Sequence, residues 1–178
     1  MDSINNNLFY FLNGLAVKYP AFDSTFAFMG NGFSYVAIVI LGYFLLTHED
    51  KKRGVQEVLM MIGVAILAWF LAHYLKGVFD TQRPFVAIPG VTEFFSQEAD
   101  GAFPSGHATF FSALAVMMWF YHRRIALSLG VVAIIVGLGR VISGVHFPID
   151  ILGGYILGFL ISVISYFAIQ WFLNRNRG

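Results

Sequence analysis

Cysteine is absent from this 178-residue chain. Its absence removes disulfides, thiolate nucleophiles and cysteine-ligated metal centres together. Charge is scarce too. Asp, Glu, Lys and Arg make up 12% of the residues, where soluble domains carry about 25%. The formal net charge is only +1, so nothing points to a polyanion such as nucleic acid as a partner. A cleaved leader is not expected either. No basic run precedes an apolar core in the first twenty residues, and Asn5, Asn6, Asn7 and Lys18 break up the apolar positions there.

What is abundant is apolar surface: 58% hydrophobic residues, with 20 Phe. A bilayer core takes about 20 apolar residues per helix. Five crossings are predicted, at 26–46, 55–79, 106–121, 125–145 and 148–173. The first is weakened near its start by Gly30-Asn31-Gly32. In the N-terminal stretch, Ile4, Leu8, Phe11, Leu12 and Leu15 share one helical stripe, while Lys18, Tyr19, Pro20 and Asp23 interrupt it. Residues 1–24 therefore read as a helix lying in the membrane interface, with a sixth crossing as the alternative. The fold expected is a single all-α domain over 1–178, a polytopic membrane helix bundle.

Basic residues set the orientation. Lys51, Lys52 and Arg53, then Arg123 and Arg124, then Arg175 and Arg177 fall at alternate ends of the predicted spans. They share one side, which the positive-inside rule makes cytoplasmic. The remaining Lys and Arg are Lys18, Lys76, Arg83 and Arg140. The last three sit at or beyond outer span ends.

Those three belong to a spaced constellation: Lys76-x6-Arg83-Pro84, then Pro104-Ser105-Gly106-His107, then Arg140-x5-His146-x3-Asp150. All three pieces fall on the outer face, so helix ends gather them. Lys76, Arg83 and Arg140 are suited to neutralising phosphate oxygens, guanidinium by a bidentate fork and ammonium as a compact charge. Ser105 is placed as a helix N-cap, and the N–H groups of Gly106 and His107 then point at an anion. A neutral imidazole can attack phosphorus and split hydrolysis into two easier steps. Asp150, four residues after His146, reaches back to orient it. His107 is left as the acid for the leaving alkoxide.

The three motifs resemble the signatures of the type 2 phosphatidic acid phosphatase family, whose fold is shared by vanadium haloperoxidases. The resemblance covers Lys76 to Asp150. It implies His146 as nucleophile, Asp150 as its carboxylate partner and His107 as the acid. It implies Lys76, Arg83, Ser105, Gly106 and Arg140 as phosphate ligands, with no metal or other cofactor. It also implies a membrane lipid bearing a phosphate or diphosphate as substrate. The chain looks like the small bacterial members, so the inner membrane with an outward site is expected. Undecaprenyl diphosphate comes first among substrates, with lipid A 1-phosphate and phosphatidylglycerophosphate as alternatives. A lipid-phosphate binder or transporter without turnover is the competing class. Phosphotransfer to an alcohol and vanadate-dependent oxidation are a third. One position departs from the family: Gly139 stands where Ser usually precedes the Arg, so reduced hydrogen bonding without loss of activity is expected, and Gly137 and Gly139 together suggest close helix packing.

Other features receive plainer readings. His73 is at best a support one turn before Lys76, and His48 and His122 are given no role. Glu57 reads as interfacial. Gly154 and Gly158 are expected to serve helix packing inside the chain rather than a dimer face. The segment 80–104 is too long for a turn and reads as a lid or binding loop. Its Phe85, Val86, Ile88, Phe94 and Phe95, mixed with Glu93, Glu98 and Asp100, are expected to dip into the outer leaflet and admit the lipid.

Overall fold

A computed structural model describes residues 3–19, 21, 23–91, 93 and 101–175. Every regular element among them is helical. Eight α-helices follow in order: α1 (Ser3–Lys18), α2 (Asp23–Ala27), α3 (Ser34–Thr47), α4 (Lys51–Phe79), α5 (Pro84–Ala87), α6 (Gly106–Trp119), α7 (Arg123–Ile142) and α8 (Pro148–Arg175). A π-helical turn, Phe28–Gly32, joins α2 to α3.

Helix α6 is the centre, packed against α4, α7 and α8. It can hold that place because its faces are small or smoothly apolar. On the α8 side, Gly154 and Gly158 meet Ala108, Ser112 and Ala113, and a Cβ on Gly154 would lie 2.8 Å from that of Ala108. The two glycines thus serve close packing within the chain, as expected. On the other sides, Phe111, Leu114, Met117 and Met118 interlock with Met61, Ala65 and Ala68 of α4 and with Leu129, Val132 and Val136 of α7. Large apolar side chains also cover the outside, among them Leu67, Phe70, Leu127, Ile134, Phe159 and Phe167. Helices apolar all round are those of a membrane bundle.

The predicted spans appear as helices, with two differences. α4, α7 and α8 are each long and apolar enough to cross. The predicted first span is broken: Ser24–Gly32 and Ser34–Thr47 meet at 49°. The break falls at Gly30-Asn31-Gly32, where helix propensity is weakest. The predicted third span, α6, is only 14 residues long. By length and composition the count is three crossings, or four with the bent pair. The predicted five is not reached on that measure.

Helix α1 docks on α7 and α8 through Phe9, Asn13 and Ala16. The Asn13 side chain donates to the Ile142 carbonyl at 2.9 Å, and the Asn5 side-chain oxygen Oδ1 accepts from Ile149 N–H at 3.1 Å. Phe9 packs on Phe147 with ring centroids 5.2 Å apart. Asparagines that interrupt the apolar pattern are therefore the docking contacts. Ile4, Leu8 and Phe11 stay exposed on the opposite side.

Within 80–104 the chain forms α5, with Pro84 at its first position. Phe94, Phe95, Glu98 and Asp100 lie outside the described residues, as do Pro20 and Arg177.

Candidate active site

The site forms where α4, α6, α7 and α8 end together. Lys76 lies in the last turn of α4, which closes on Asp80 in the left-handed region at φ 41°. From there the chain leaves sideways, and the returning strand of loop is tied to it. Ala102 N–H donates to Thr81 O at 2.8 Å, and Phe103 N–H to the Thr81 hydroxyl at 2.9 Å. Lys76 Nζ donates to Gly101 O at 2.7 Å. Arg83, the N-cap of α5, donates to the Val145 carbonyl at 3.2 Å. This fixes it against the α7–α8 connection that carries His146.

Ser105 is the N-cap of α6, as expected, but its side chain makes no capping bond. Its hydroxyl is buried and has no hydrogen-bond partner among the described residues. The expected cap role is thus not taken up. An unsatisfied buried hydroxyl costs free energy that a bound anion recovers. Gly106 allows Trp69 of α4 to close over the helix start, since a Cβ there would lie 3.1 Å from the indole nitrogen. His73 stacks on that same Trp69.

His146 sits in the connection between α7 and α8 and is 1% exposed. Asp150 is the third residue of α8. Its Oδ2 accepts the N–H of Phe147, the residue before the helix, at 2.8 Å and faces His146 Nδ1 at 3.4 Å. This is one half of a capping box with Asp in place of Glu. The longer second contact follows from one oxygen serving two donors. Burial, with the positive charges of Arg140, Arg83 and Lys76 and the neighbouring His107, holds His146 well below the usual histidine range. That favours the neutral ring, and in the tautomer that donates Nδ1–H to Asp150 the Nε2 lone pair is free. The same three cations bear on His107, so the two imidazoles and the cations share one site. All eight residues expected from the sequence lie around this helix-end cluster.

One contributor was not foreseen, and the close packing expected at Gly139 is seen. Asn31, in the π-helical turn, accepts from Arg140 through its side-chain oxygen at 3.2 Å. Gly139 is the reason the turn comes so close. A Cβ at 139 would sit inside contact distance of the backbone of Met29 and Gly30, 2.8 Å from Gly30 Cα. The glycine is thus a steric requirement of this chain, and Asn31 supplies Arg140 with a fixed polar partner. The only sequence signal was Gly-Asn-Gly interrupting an apolar run.

Beside His107 an apolar groove of about 660 Å³ runs between α3 and α6, lined by Ile38, Leu41, Ile62, Phe110 and Leu114 and headed by Asn31.

The sequence matches the PAP2 superfamily over residues 57–176. The chain belongs to the PAP2 superfamily. Two curated relatives are each 27% identical to it. One is the bacitracin transport permease protein BcrC of Bacillus licheniformis, aligned over 94% of this chain and 81% of that protein. The other is the undecaprenyl-diphosphatase BcrC of Bacillus subtilis, over 92% and 83%. Among solved structures, Aquifex aeolicus LpxE superposes with a TM-score of 0.70 at 26% identity, covering 93% of this chain and 96% of that one. Family and relatives make this an integral membrane phosphatase acting on lipid phosphates. The match begins at Glu57, so Asn31 and the π-helical turn lie before it.

Proposed function

We propose that the chain hydrolyses the terminal phosphate of a lipid diphosphate through a phospho-histidine, with undecaprenyl diphosphate as substrate. His146 Nε2 attacks the terminal phosphorus. The bond from phosphorus to the bridging oxygen breaks, and His107 gives its proton to that oxygen. The lipid leaves as its monophosphate. Water then attacks the phospho-histidine, His107 takes the water's proton, and inorganic phosphate is released. Lys76, Arg83, Arg140, Ser105 Oγ and the Gly106 N–H hold the equatorial oxygens, where charge builds in the transition state. No metal takes part in these steps.

The observation that carries the lipid reading is the apolar groove beginning at His107. The acid must stand on the leaving-group side, and the leaving group carries the lipid chain. A groove that starts at the acid and continues along α3 and α6 gives that chain its path. Helix α1 rests in the interface with Ile4, Leu8 and Phe11 toward lipid. The site lies at the end of the bundle opposite Lys51, Lys52, Arg53, Arg123 and Arg124, and the positive-inside rule supports reading that end as the outward face of a bacterial inner membrane. The name carried by one relative favours a second reading, transport. A binder, however, has no use for a buried His–Asp pair with a second histidine.

Phosphate release from undecaprenyl diphosphate by the detergent-purified protein in EDTA is the test, with His146→Ala alongside. Release by the wild type alone is expected. Release by both proteins would overturn His146 as nucleophile. No release from this lipid, with release from lipid A 1-phosphate or phosphatidylglycerophosphate, would replace the substrate and keep the chemistry.

A further inference from the structure

A second cluster of titratable groups lies at the far end of the bundle. Glu57 is on the second turn of α4 and is 5% exposed. Along α4 it is 19 residues from Lys76, about 28 Å at the helical rise per residue. His48 comes to it from the turn between α3 and α4, and His122 from the turn between α6 and α7. Both turn toward one oxygen, Glu57 Oε2: His122 Nε2 at 2.8 Å and His48 Nε2 at 3.7 Å. One ligand atom from each residue falls within 4.8 Å of the others.

We propose that His48, Glu57 and His122 bind a divalent transition metal, zinc in first place. Zinc takes imidazole nitrogen and carboxylate oxygen at about 2.0 to 2.2 Å, so tetrahedral ligand atoms stand roughly 3.4 Å apart. The two measured separations bracket that value. Two imidazoles and one carboxylate suit zinc, copper or nickel rather than magnesium or calcium. Three protein ligands leave one position, and the cluster opens into a recess of about 350 Å³ also lined by Glu49 and Asp50.

The ligands are held in place beforehand. The His48 ring lies over Gly54, where a Cβ would be 3.0 Å away, and edge-on to Phe44 with centroids 5.1 Å apart. Phe44 also packs on His122, at 4.6 Å. Arg53 Nε holds the other carboxylate oxygen, Oε1, at 3.0 Å. That orients Glu57 and leaves Oε2 for the ion. The Arg53 side chain is 70% exposed, so its charge is met largely by solvent and opposes the ion weakly. Asp50 is occupied as the N-cap of α4, accepting the Arg53 N–H, and Glu49 adds negative charge nearby. A metal ion takes imidazole in its neutral form and carboxylate ionised. The ion then joins two turns and one helix that are separate in sequence, a clamp on the end away from the chemistry.

The test is calorimetric titration of zinc chloride into EDTA-stripped, detergent-purified full-length protein, together with its thermal unfolding. One zinc per chain and a raised Tm are expected, without competition from magnesium. His122→Gln and Glu57→Gln should each weaken binding at least tenfold and abolish the Tm rise, and His146→Gln should do neither. Retained phosphate release by His122→Gln certifies that it is folded, and His48→Gln provides a second, milder variant. The proposal falls if the wild type binds no zinc, if His122→Gln binds as tightly, or if His146→Gln removes the binding instead. Loss of phosphatase activity in His146→Ala leaves it untouched, because the two sites are read by different signals.

Discussion

Replacing Gly139 with Ser restores the residue usual in the family, and two expectations collide there. If the glycine merely lacks a hydrogen bond, Ser should help. The structure says it should harm. A Cβ at 139 meets the backbone of Met29 and Gly30, which cannot rotate away as a side chain can. Overpacking of this kind costs about 1 to 3 kcal/mol. For a chain of this length that lowers Tm by roughly 2 to 12 °C. Relief comes only from moving the π-helical turn off α7, which also draws Asn31 from Arg140. A hydrogen bond to a charged group contributes about 1.5 to 3 kcal/mol. Its loss in the transition state lowers kcat/KM roughly ten- to hundredfold. Thermal unfolding in detergent and steady-state phosphate release on Gly139→Ser and Gly139→Ala measure both effects. Gly130→Ala is the control on the same helix: nothing lies within 4 Å of a Cβ there, and Ala favours the helix by up to about 1 kcal/mol. If Gly139→Ser matches or exceeds the wild type in Tm and rate while Gly130→Ala is neutral, the steric argument is refuted.

Two further outcomes follow from the site. His107→Gln should lose about 10² to 10⁴ in kcat on lipid substrate, yet much less on a phosphate ester whose leaving group needs no proton, such as p-nitrophenyl phosphate. An equal loss on both would remove His107 as the acid. Asn31→Ala should lower kcat/KM about tenfold with little change in Tm, since it removes a polar partner of Arg140 without adding bulk. A wild-type rate in that variant would leave Asn31 with no part in positioning Arg140.

The helices, and the gathering of the eight candidate residues at one end of the bundle, could be read from the sequence because their signals are strong and local. Apolar runs give the spans, and spaced cations with Ser-Gly-His and His-x3-Asp give the chemistry. The bend at Gly30-Asn31-Gly32 was visible as a weakness, but its use was not. Contact between residue 31 and residue 140 is set by packing across more than a hundred positions. The same holds for His48, Glu57 and His122. Each alone looks like an ordinary group near a membrane surface, and only the folded turns bring them to one oxygen. Ser105 was legible as a cap by residue type, yet its hydroxyl has no partner among the described residues.

One oxygen of Asp150 both begins α8 and orients His146. Residues that would start the helix well enough, such as Ser or Thr, cannot hold the imidazole, so position 150 has almost no freedom to drift. Selection for a new lipid then acts elsewhere, on the groove walls Ile38, Leu41, Ile62 and Leu114, none of which is among the residues proposed to hold the phosphate. The molecule thereby separates an inheritance that must stay fixed from a surface that can vary. Changes of substrate within this architecture should accumulate along the groove-facing sides of α3, α4 and α6 while the reaction at the helix ends stays the same.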